Sequence, residues 1–506
     1  MSDESVREAL RSNAQLVVIE APAGCGKTYQ GADYAREIAI ARNTGRLLIL
    51  THTHAACSVF AERTKNCRRQ IEIRTLDSLV SSVASAYHVG LGLPPDIHTW
   101  VRQQRDGYLQ LAARIADLLT RHPMIAASLS HRYPILICDE HQDSSPDQHA
   151  MVMSLLAEGA RVRVFADPMQ KIFRETPVAG SSCVYNWSDL TEKAQAFEKL
   201  DIPHRWASGC TELGRWILHA RERLKAGDRI DLRGGVPSSV NVLFAENQAQ
   251  RNLDYSVSYN SRKPIDQFEQ QQRSLLVLTH YSDPAKFLRA FFNRRIPLWE
   301  GHTRSALEKL VDSLNNANGN RNVLAQAVVA FMREVGKGCS PSVFGNAFQN
   351  EVNEGCSVHR RGKPAKIQNL ARLLLAEPNH RGVAKVLCEL SDLKDSDPTF
   401  SDVKIDCNSE FRDAIRLSEF ETAFDGLAQI THRRTYSRPQ PPPKAISTIH
   451  KAKGLECESV IVVPCDASTF PNTADARCLL YVAISRAKKR LMLVVSRANP
   501  SPLLSI

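Results

Sequence analysis

None of the 13 cysteines in this 506-residue chain is spaced as Cys-x-x-Cys, so neither a zinc ribbon nor an iron–sulfur cluster has its usual close ligands. The thiols read instead as reduced groups, mostly in the core. No apolar run approaches the ~20 residues needed to cross a bilayer. The opening MSDESVREAL is polar and acidic, unlike a signal peptide, and a cytoplasmic protein is expected. An excess of acid is lacking too. Lys plus Arg number 65 against 54 Asp plus Glu, a formal charge of +11, which favours a polyanionic partner through phosphate neutralisation and counterion release. Charge by itself fits a merely soluble basic protein equally well.

Hydrophobic residues make up 43% and charged residues 24%, which is globular rather than disordered composition. A chain this long divides into several folding units. Short apolar runs at 16–20 (LVVIE), 46–51 (RLLILT), 134–138 (PILIC) and 161–166 (RVRVFA) alternate with helix-like stretches, the pattern of a parallel sheet with helical crossovers. A second set lies at 240–244, 275–279, 445–449, 459–463 and 491–495, so two α/β domains are expected. Helical stretches interrupt both. One occupies about 81–133, and the other runs from 306 to 435, ending near HRRTYSRPQPPPK, whose three prolines favour an extended connector. The expected division is 1–80 with 134–204 for the first α/β domain, and 205–305 with 436–506 for the second. No internal repeat is visible.

APAGCGKT at 21–28 has phosphate-loop spacing, with Ala21 in place of the usual first glycine. The backbone N–H groups from Ala23 through Gly24, Cys25, Gly26, Lys27 and Thr28 can turn toward phosphate oxygens. The Lys27 ammonium reaches the β/γ phosphates, and the Thr28 hydroxyl can ligate Mg²⁺. An apolar run precedes the loop and a helical pattern follows it, as nucleotide binding requires. ILICDEHQD at 135–143 puts two carboxylates at the exit of an apolar strand, where open α/β sheets place their ligand. Asp139 suits Mg²⁺, and Glu140 suits polarising the attacking water. Taken alone, the pair reads equally as an acidic strand end capping a helix. The basic run RVRV and the cluster HRRTYSR at 432–438 read either as DNA contacts or as solvated faces.

CDEHQDSSPDQ at 138–148 resembles the DEFQD-type segment of UvrD-like superfamily 1 helicases, and further segments resemble that family's motifs in its order. LTHTHAA at 50–56 and RTLDSL at 74–79 resemble single-strand contact motifs, which implies DNA binding at Thr51, His52, Thr53 and Ser78. FADPMQKIF at 165–173 is similar to the motif in which Gln170 couples the γ-phosphate to the DNA track, with Phe173 on that track. LDIPHR at 200–205 offers Arg205 to the γ-phosphate and His204 to the base. STIHKAKGLECESV at 447–460 implies DNA contact at His450 and Lys451 and a nucleotide-side role for Glu456. LLYVAISRAKKRLML at 479–493 makes Arg486 an arginine finger.

The resemblance implies an α/β fold of two RecA-like P-loop NTPase domains, each carrying a helical insertion. It also implies ATP or another NTP with Mg²⁺, and 3′-to-5′ movement on single-stranded DNA. The alternative is a DNA-sensing NTPase that activates a partner without moving far. The compact layout implies a protein partner in trans, such as an OLD-family (TOPRIM) nuclease. Several positions depart from the family. Val6 stands where a glutamine reads adenine, and His204 stands where an aromatic ring stacks on it. His52 and Glu175 replace rings expected to stack on DNA, with Tyr185 and Trp187 as candidate substitutes or core residues.

Overall fold

The computed structural model describes residues 2–41, 45–104, 106–173, 178, 180–251, 254–300, 304–339, 344–436 and 441–506. It divides into two compact units. The first comprises Met1–Ala249, Ser256–Tyr281 and Thr448–Ile506, and the second comprises Gln250–Tyr255 and Ser282–Ser447.

The first unit carries two parallel sheets. One is built from β1 (Leu16–Glu20), β2 (Leu47–Thr51), β3 (Ile71–Thr75), β4 (Ile135–Asp139), β5 (Arg161–Ala166) and β6 (Ala196–Lys199), in the order β3-β2-β4-β5-β1-β6. The inner strands β1, β2 and β4 are near-continuous apolar runs, buried throughout because both faces are covered, whereas the edge strands β3 and β6 are only partly apolar and half-buried. Leu16, Val18, Leu48, Leu50, Leu136, Val162 and Val164 point into one core, and Val17, Ile19, Leu47, Ile49, Ile135, Ile137 and Phe165 point into the other. Helices α1 (Ser2–Arg11), α2 (Lys27–Ala41) and α3 (His54–Arg63) cover the second face.

The expected first insertion contains α4 (Leu76–Ala86), α5 (Ile97–Gln103), α6 (Gly107–Arg121) and α7 (Pro123–Arg132). Their apolar residues, among them Val80, Ile97, Leu111, Ile115 and Ala126, share the first core with the strands and with α8 (Pro146–Ala157). These helices therefore form a layer of the domain itself. Arg163, from the RVRV run, is neither solvated nor positioned for DNA. It is fully buried and donates to the carbonyl oxygens of Leu10, Ala14 and Ser12 at 2.9, 2.9 and 3.1 Å. It thus satisfies acceptors left open where α1 ends.

After α9 (Trp187–Lys193) and α10 (Thr211–Ala226), the second sheet uses β7 (Val240–Ala245), β8 (Leu275–Thr279), β9 (Cys457–Cys465) and β10 (Ala487–Ser496). These pair in parallel in the order β8-β9-β10-β7, with α11 (Tyr259–Gln271) between β7 and β8 in the chain.

The second unit is almost wholly helical: α12 (Ser282–Phe291), α13 (Ser305–Ala317), α14 (Arg321–Val335), α15 (Asn346–Asn353), α16 (Lys363–Ala376), α17 (His380–Ser396), α18 (Asn408–Arg416) and α19 (Ala423–Tyr436). It has its own core, including Leu307, Val328, Met332, Phe348, Leu370 and Phe411. Its longer segment runs from 282 to 447, beside the short piece Gln250–Tyr255, against the expected 306–435. The side chains of the 432–438 cluster lie outside the described residues. The last helix of the first unit, α20 (Ala474–Ile484), leads into β10. Among the described residues, no helix is long and apolar enough to cross a membrane.

Candidate nucleotide and nucleic-acid site

The phosphate loop turns between β1 and α2 at the carboxyl edge of the first sheet, the edge at which open α/β sheets bind ligands. Gly24 and Gly26 have φ of +77° and +84°, a region glycine enters without penalty. A Cβ on Gly24 would sit 2.7 Å from the Trp206 ring, and one on Gly26 would sit 3.1 Å from the His204 ring, so the loop is pressed against the segment that follows β6. At the start of α2 the Tyr29 and Gln30 N–H groups donate to Gly26 O at 2.9 and 3.0 Å, and the amides of Lys27 and Thr28 precede the first intrahelical acceptor, as suits an anion site. Cys25 is buried, and burial pushes its thiol up to about 12, so it is an inert packing group.

Lys27 reaches across to β4, pairing closely with Glu140 and lying 3.8 Å from Asp139. Burial opposes the ammonium charge, but Glu140 and Asp139 outweigh it and the Lys27 pKa is raised. Burial, reinforced by Glu140, raises Asp139 despite Lys27. Glu140 is the opposite case: burial works against ionisation, yet Lys27 and Lys453 hold the carboxyl below its usual range. Glu140 is therefore an anionic acceptor at neutral pH. Its backbone sits at φ +54°, a left-handed conformation that costs roughly 1–3 kcal/mol for a side chain of this size and clusters at functional sites. Gln142 holds the carboxylate, donating to Glu140 at 2.6 Å. Behind it, Ser145 and Gln148 form a capping box that starts α8, with Pro146 in its first turn.

Asp139 Oδ1 is buried and, among the described residues, has no hydrogen-bond partner. An orphaned carboxylate oxygen beside a phosphate loop, with the Thr28 hydroxyl in that loop, fits a hard divalent cation that arrives with phosphate oxygens. No group of three or more His, Cys, Asp or Glu side chains among the described residues is arranged to hold a metal by itself.

The second sheet's elements meet this loop. The Ala23 N–H donates to the Tyr481 hydroxyl of α20 at 2.8 Å. The Arg205 N–H donates to Gly24 O at 3.0 Å. The Arg205 guanidinium donates to Ser485 O at 2.7 Å and pairs with Glu456 at 2.6 Å, while its buried Nε has no partner among the described residues. Arg486 is buried and donates to Val482 O, Leu455 O and Ser485 Oγ at 3.0, 3.3 and 2.7 Å. Burial, with Arg205 adding to it, lowers Arg486 to about 10, still charged at neutral pH. Glu456 thus holds Arg205. His204 Nε2 donates to the Asp3 carboxylate at 2.7 Å, and Val6 is fully buried in the core.

Gln170 donates to Asp167 at 2.9 Å. Lys453 bonds both Asp143 oxygens and Gln170 O at 2.6 Å, and its ammonium lies 5.1 Å from the centre of the Phe173 ring. Phe173 is 51% exposed. Its neighbours form a line of rings: Phe173 to His450 at 6.0 Å, His450 to His280 at 5.7 Å, and His280 to Tyr281 at 3.8 Å. Tyr281 is itself 55% exposed. Lys451 is half-buried just beyond His450.

The other residues implied as DNA contacts differ in exposure. Thr51 is buried, with its hydroxyl on Thr53 O and the Cys57 thiol, each at 3.1 Å. His52 turns inward to Ser144 at 3.2 Å, in a chain that continues through His141 to His149 at 3.1 and 3.0 Å. Burial lowers His52 to about 4, so its ring is a neutral interior group. Thr53 is exposed but caps α3, and Ser78 lies half-buried in the first turn of α4. Tyr185 stacks on His149, and Trp187 packs edge-on to Phe197; both lie against the first core. Glu175 lies outside the described residues.

Residues not singled out from sequence also converge here. They are Gln142, Asp167, Arg221, Lys453, Tyr481, His280 and Tyr281. Gln142, Asp167, Lys453 and Tyr481 lie within the quoted motifs, so proximity to them was the available signal. Arg221 sits in an unremarkable amphipathic helix and had none.

Residues 3–173 match the family model of an AAA domain, and residues 444–494 match that of the UvrD-like helicase C-terminal domain. The chain is thus similar to an AAA domain over the first segment and to the C-terminal domain of UvrD-like helicases over the second. Together with two parallel α/β sheets, the matches give a pair of RecA-like domains and indicate an NTP-hydrolysing helicase, with nucleic-acid binding and use of nucleotide, usually with Mg²⁺. No curated protein matches the chain.

Proposed function

We propose that the chain is a motor that hydrolyses NTP on single-stranded DNA and moves 3′ to 5′ along it. The observation that carries this reading is the phosphate loop closed from both sides. Lys27, at the start of α2, and Asp139 and Glu140, at and just after the end of β4, stand at the edge of the first sheet, while Arg205, Tyr481 and Arg486 come from segments that pack with the second. In this reading Glu140 accepts the proton of the attacking water, and Gln170 aligns that water. Arg205 and Arg486 neutralise charge developing on the γ-phosphate. Thr28 and Asp139 would hold Mg²⁺, which supplies charge neutralisation on the β- and γ-phosphate oxygens.

Loss of the γ-phosphate removes the ligand that attracts both arginines, so turnover loosens the two lobes. Lys453 links that event to the strand, because one ammonium touches Asp143, the Gln170 carbonyl and the Phe173 ring. Phe173, His450 and Lys451 would lie along the DNA.

The layout also resembles the UvrD-like subunit of the Gabija anti-phage system, which supports a place beside an OLD-family (TOPRIM) nuclease in a defence complex. The burial of Thr51 and the bond of His52 to Ser144 favour a second reading, a sensor that hydrolyses NTP on DNA and activates that nuclease without travelling far.

Phosphate release assayed with all four NTPs, with and without single-stranded DNA, tests the primary reading. DNA-stimulated release is expected, and no stimulation with any nucleotide sinks it. Displacement of streptavidin from end-labelled strands separates the motor from the sensor, since only the motor displaces it.

A further inference from the structure

Arg221 projects from α10 with none of its side chain exposed. A guanidinium at that depth persists only where its partners satisfy it, and this one has several. It donates to Glu20 at 2.6 Å, to Asp167 Oδ1 at 2.6 and 3.1 Å, and to Glu222 at 2.6 Å. Its Cζ lies 5.8 Å from the centre of the Tyr481 ring. Glu20 is the last residue of β1, directly before the phosphate loop, and Lys225 joins it there at 2.6 Å. Burial disfavours the charge on Arg221, but Asp167 and the other anionic partners raise its pKa, so it stays charged.

Asp167 divides the connection in two. Its other carboxylate oxygen accepts from the Gln170 side chain at 2.9 Å. Its backbone N–H donates to Gln142 Oε1 at 3.1 Å, and the Nε2 of the same amide donates to Glu140 at 2.6 Å. One guanidinium therefore stands behind both groups that flank the attacking water in the proposed reaction. Because α10 packs against α20, the helix that ends just before Arg486, the arrangement also ties those groups to the second lobe.

We infer that Arg221 is a positioning residue for hydrolysis: through Asp167 it sets the Gln170 side chain and, by way of Gln142, the Glu140 carboxylate. The inference rests on the hydrolytic reading above. Arg221 touches no reacting atom. It determines where the groups that do are held.

The test compares the full chain with Arg221→Lys, Gln142→Ala and the double variant, measuring kcat for NTP, the Kd of a fluorescent nucleotide analogue, and Tm. Lysine keeps the charge but loses the fork that spans Glu20 and Asp167. Each single variant is expected to lower kcat about 10- to 100-fold while changing nucleotide Kd less than about 3-fold. The double variant is expected within about 3-fold of the worse single, because both act through one connection. Losses that multiply in the double variant, or a fall in kcat matched by an equal loss of nucleotide binding, overturn the inference. If Arg221→Lys does not fold, Asp167→Asn gives the same decision. It keeps an oxygen for Arg221, loses the acceptor for Gln170, and must show the same split between kcat and Kd. A wild-type chain that binds nucleotide without hydrolysing it overturns the hydrolytic reading and this inference together. An active wild type with multiplicative losses overturns the inference alone.

Discussion

The two sheets of the first unit face the phosphate loop with opposite charge. The first brings carboxylates at the ends of its strands and in the loops that follow: Glu20, Asp139, Glu140, Asp143 and Asp167. Segments packed with the second bring Arg205, Arg221, Lys453 and Arg486. Those four cations are not used alike. Arg221 and Lys453 are already bonded to acids of the first lobe, whereas Arg205 and Arg486 are held by Glu456, Ser485 and carbonyl oxygens near the second. The first pair joins the lobes without nucleotide. Arg486 is held by neutral oxygens and Arg205 by a carbonyl and the solvent-exposed Glu456 carboxylate, and a charge-assisted hydrogen bond to an anionic phosphate oxygen is stronger than one to a carbonyl. A mobile anion between fixed charges of opposite sign is what a nucleotide-driven closure needs.

The comparison breaks most sharply at Glu140. Glu140→Gln keeps the shape and the hydrogen bond from Gln142 but removes the proton acceptor. Turnover is expected to fall by about 10³-fold or more while nucleotide binding persists, as single-turnover phosphate release and analogue binding will report. Retained turnover would move the role of base to another residue. On the opposite side, Arg205→Ala and Arg486→Ala are each expected to lower kcat by about 10²- to 10³-fold with smaller changes in nucleotide Kd. If instead either variant weakens nucleotide binding and leaves kcat alone, the division of the cations into joining and reacting pairs is wrong.

At the rim, where both lobes contribute rings, the expected effect is smaller. Phe173→Ala removes one stacking surface worth roughly 1–3 kcal/mol per base, so single-strand affinity should fall about 5- to 100-fold in a filter-binding or anisotropy titration. NTP turnover without DNA should change little. Loss of basal turnover would instead place the ring inside the nucleotide machinery, by way of Lys453.

Much of this arrangement was legible in the chain because its motifs are local. A phosphate loop is eight consecutive residues between a strand and a helix, and the Asp139–Glu140 pair sits at the end of an apolar run. The direction in which a side chain points was not legible. Thr51 and His52 occupy positions read as strand contacts, but the turn between β2 and α3 aims one at Cys57 and the other at Ser144. Arg163 lies in a run that looks basic and exposed, yet strand alternation sends it inward, where the end of α1 supplies carbonyls. Arg221 left no mark on the sequence because its buried partners Asp167 and Glu20 are 54 and 201 residues away. The helices at 81–133 read as an insertion because strand signals stop there. Whether such helices form a body of their own or a layer depends on which core their apolar faces enter, a tertiary matter.

The smallest effect concerns the acidic lobe alone, behind its catalytic edge, where histidines are buried in neutral form. Burial, helped by Lys193, lowers His149 to about 4, and His52 is lowered to about 4 as well. In the unfolded chain such groups titrate near ~6.5. The unfolded state therefore binds protons first as pH falls. The histidines contribute full stability above about 6.5, and this contribution drains away between about 6.5 and 4. Replacing one titrating ring should flatten that dependence. His149→Gln is expected to lower Tm by a few degrees at pH 7.5, through the lost stacking on Tyr185 and bond to His141. At pH 5 the gap to wild type should be narrower. Scanning calorimetry at the two values decides it. A gap that is constant or widens as acid is added would mean that His149 is protonated in the fold, and that the interior of this lobe carries charge on its histidines as well as on its carboxylates.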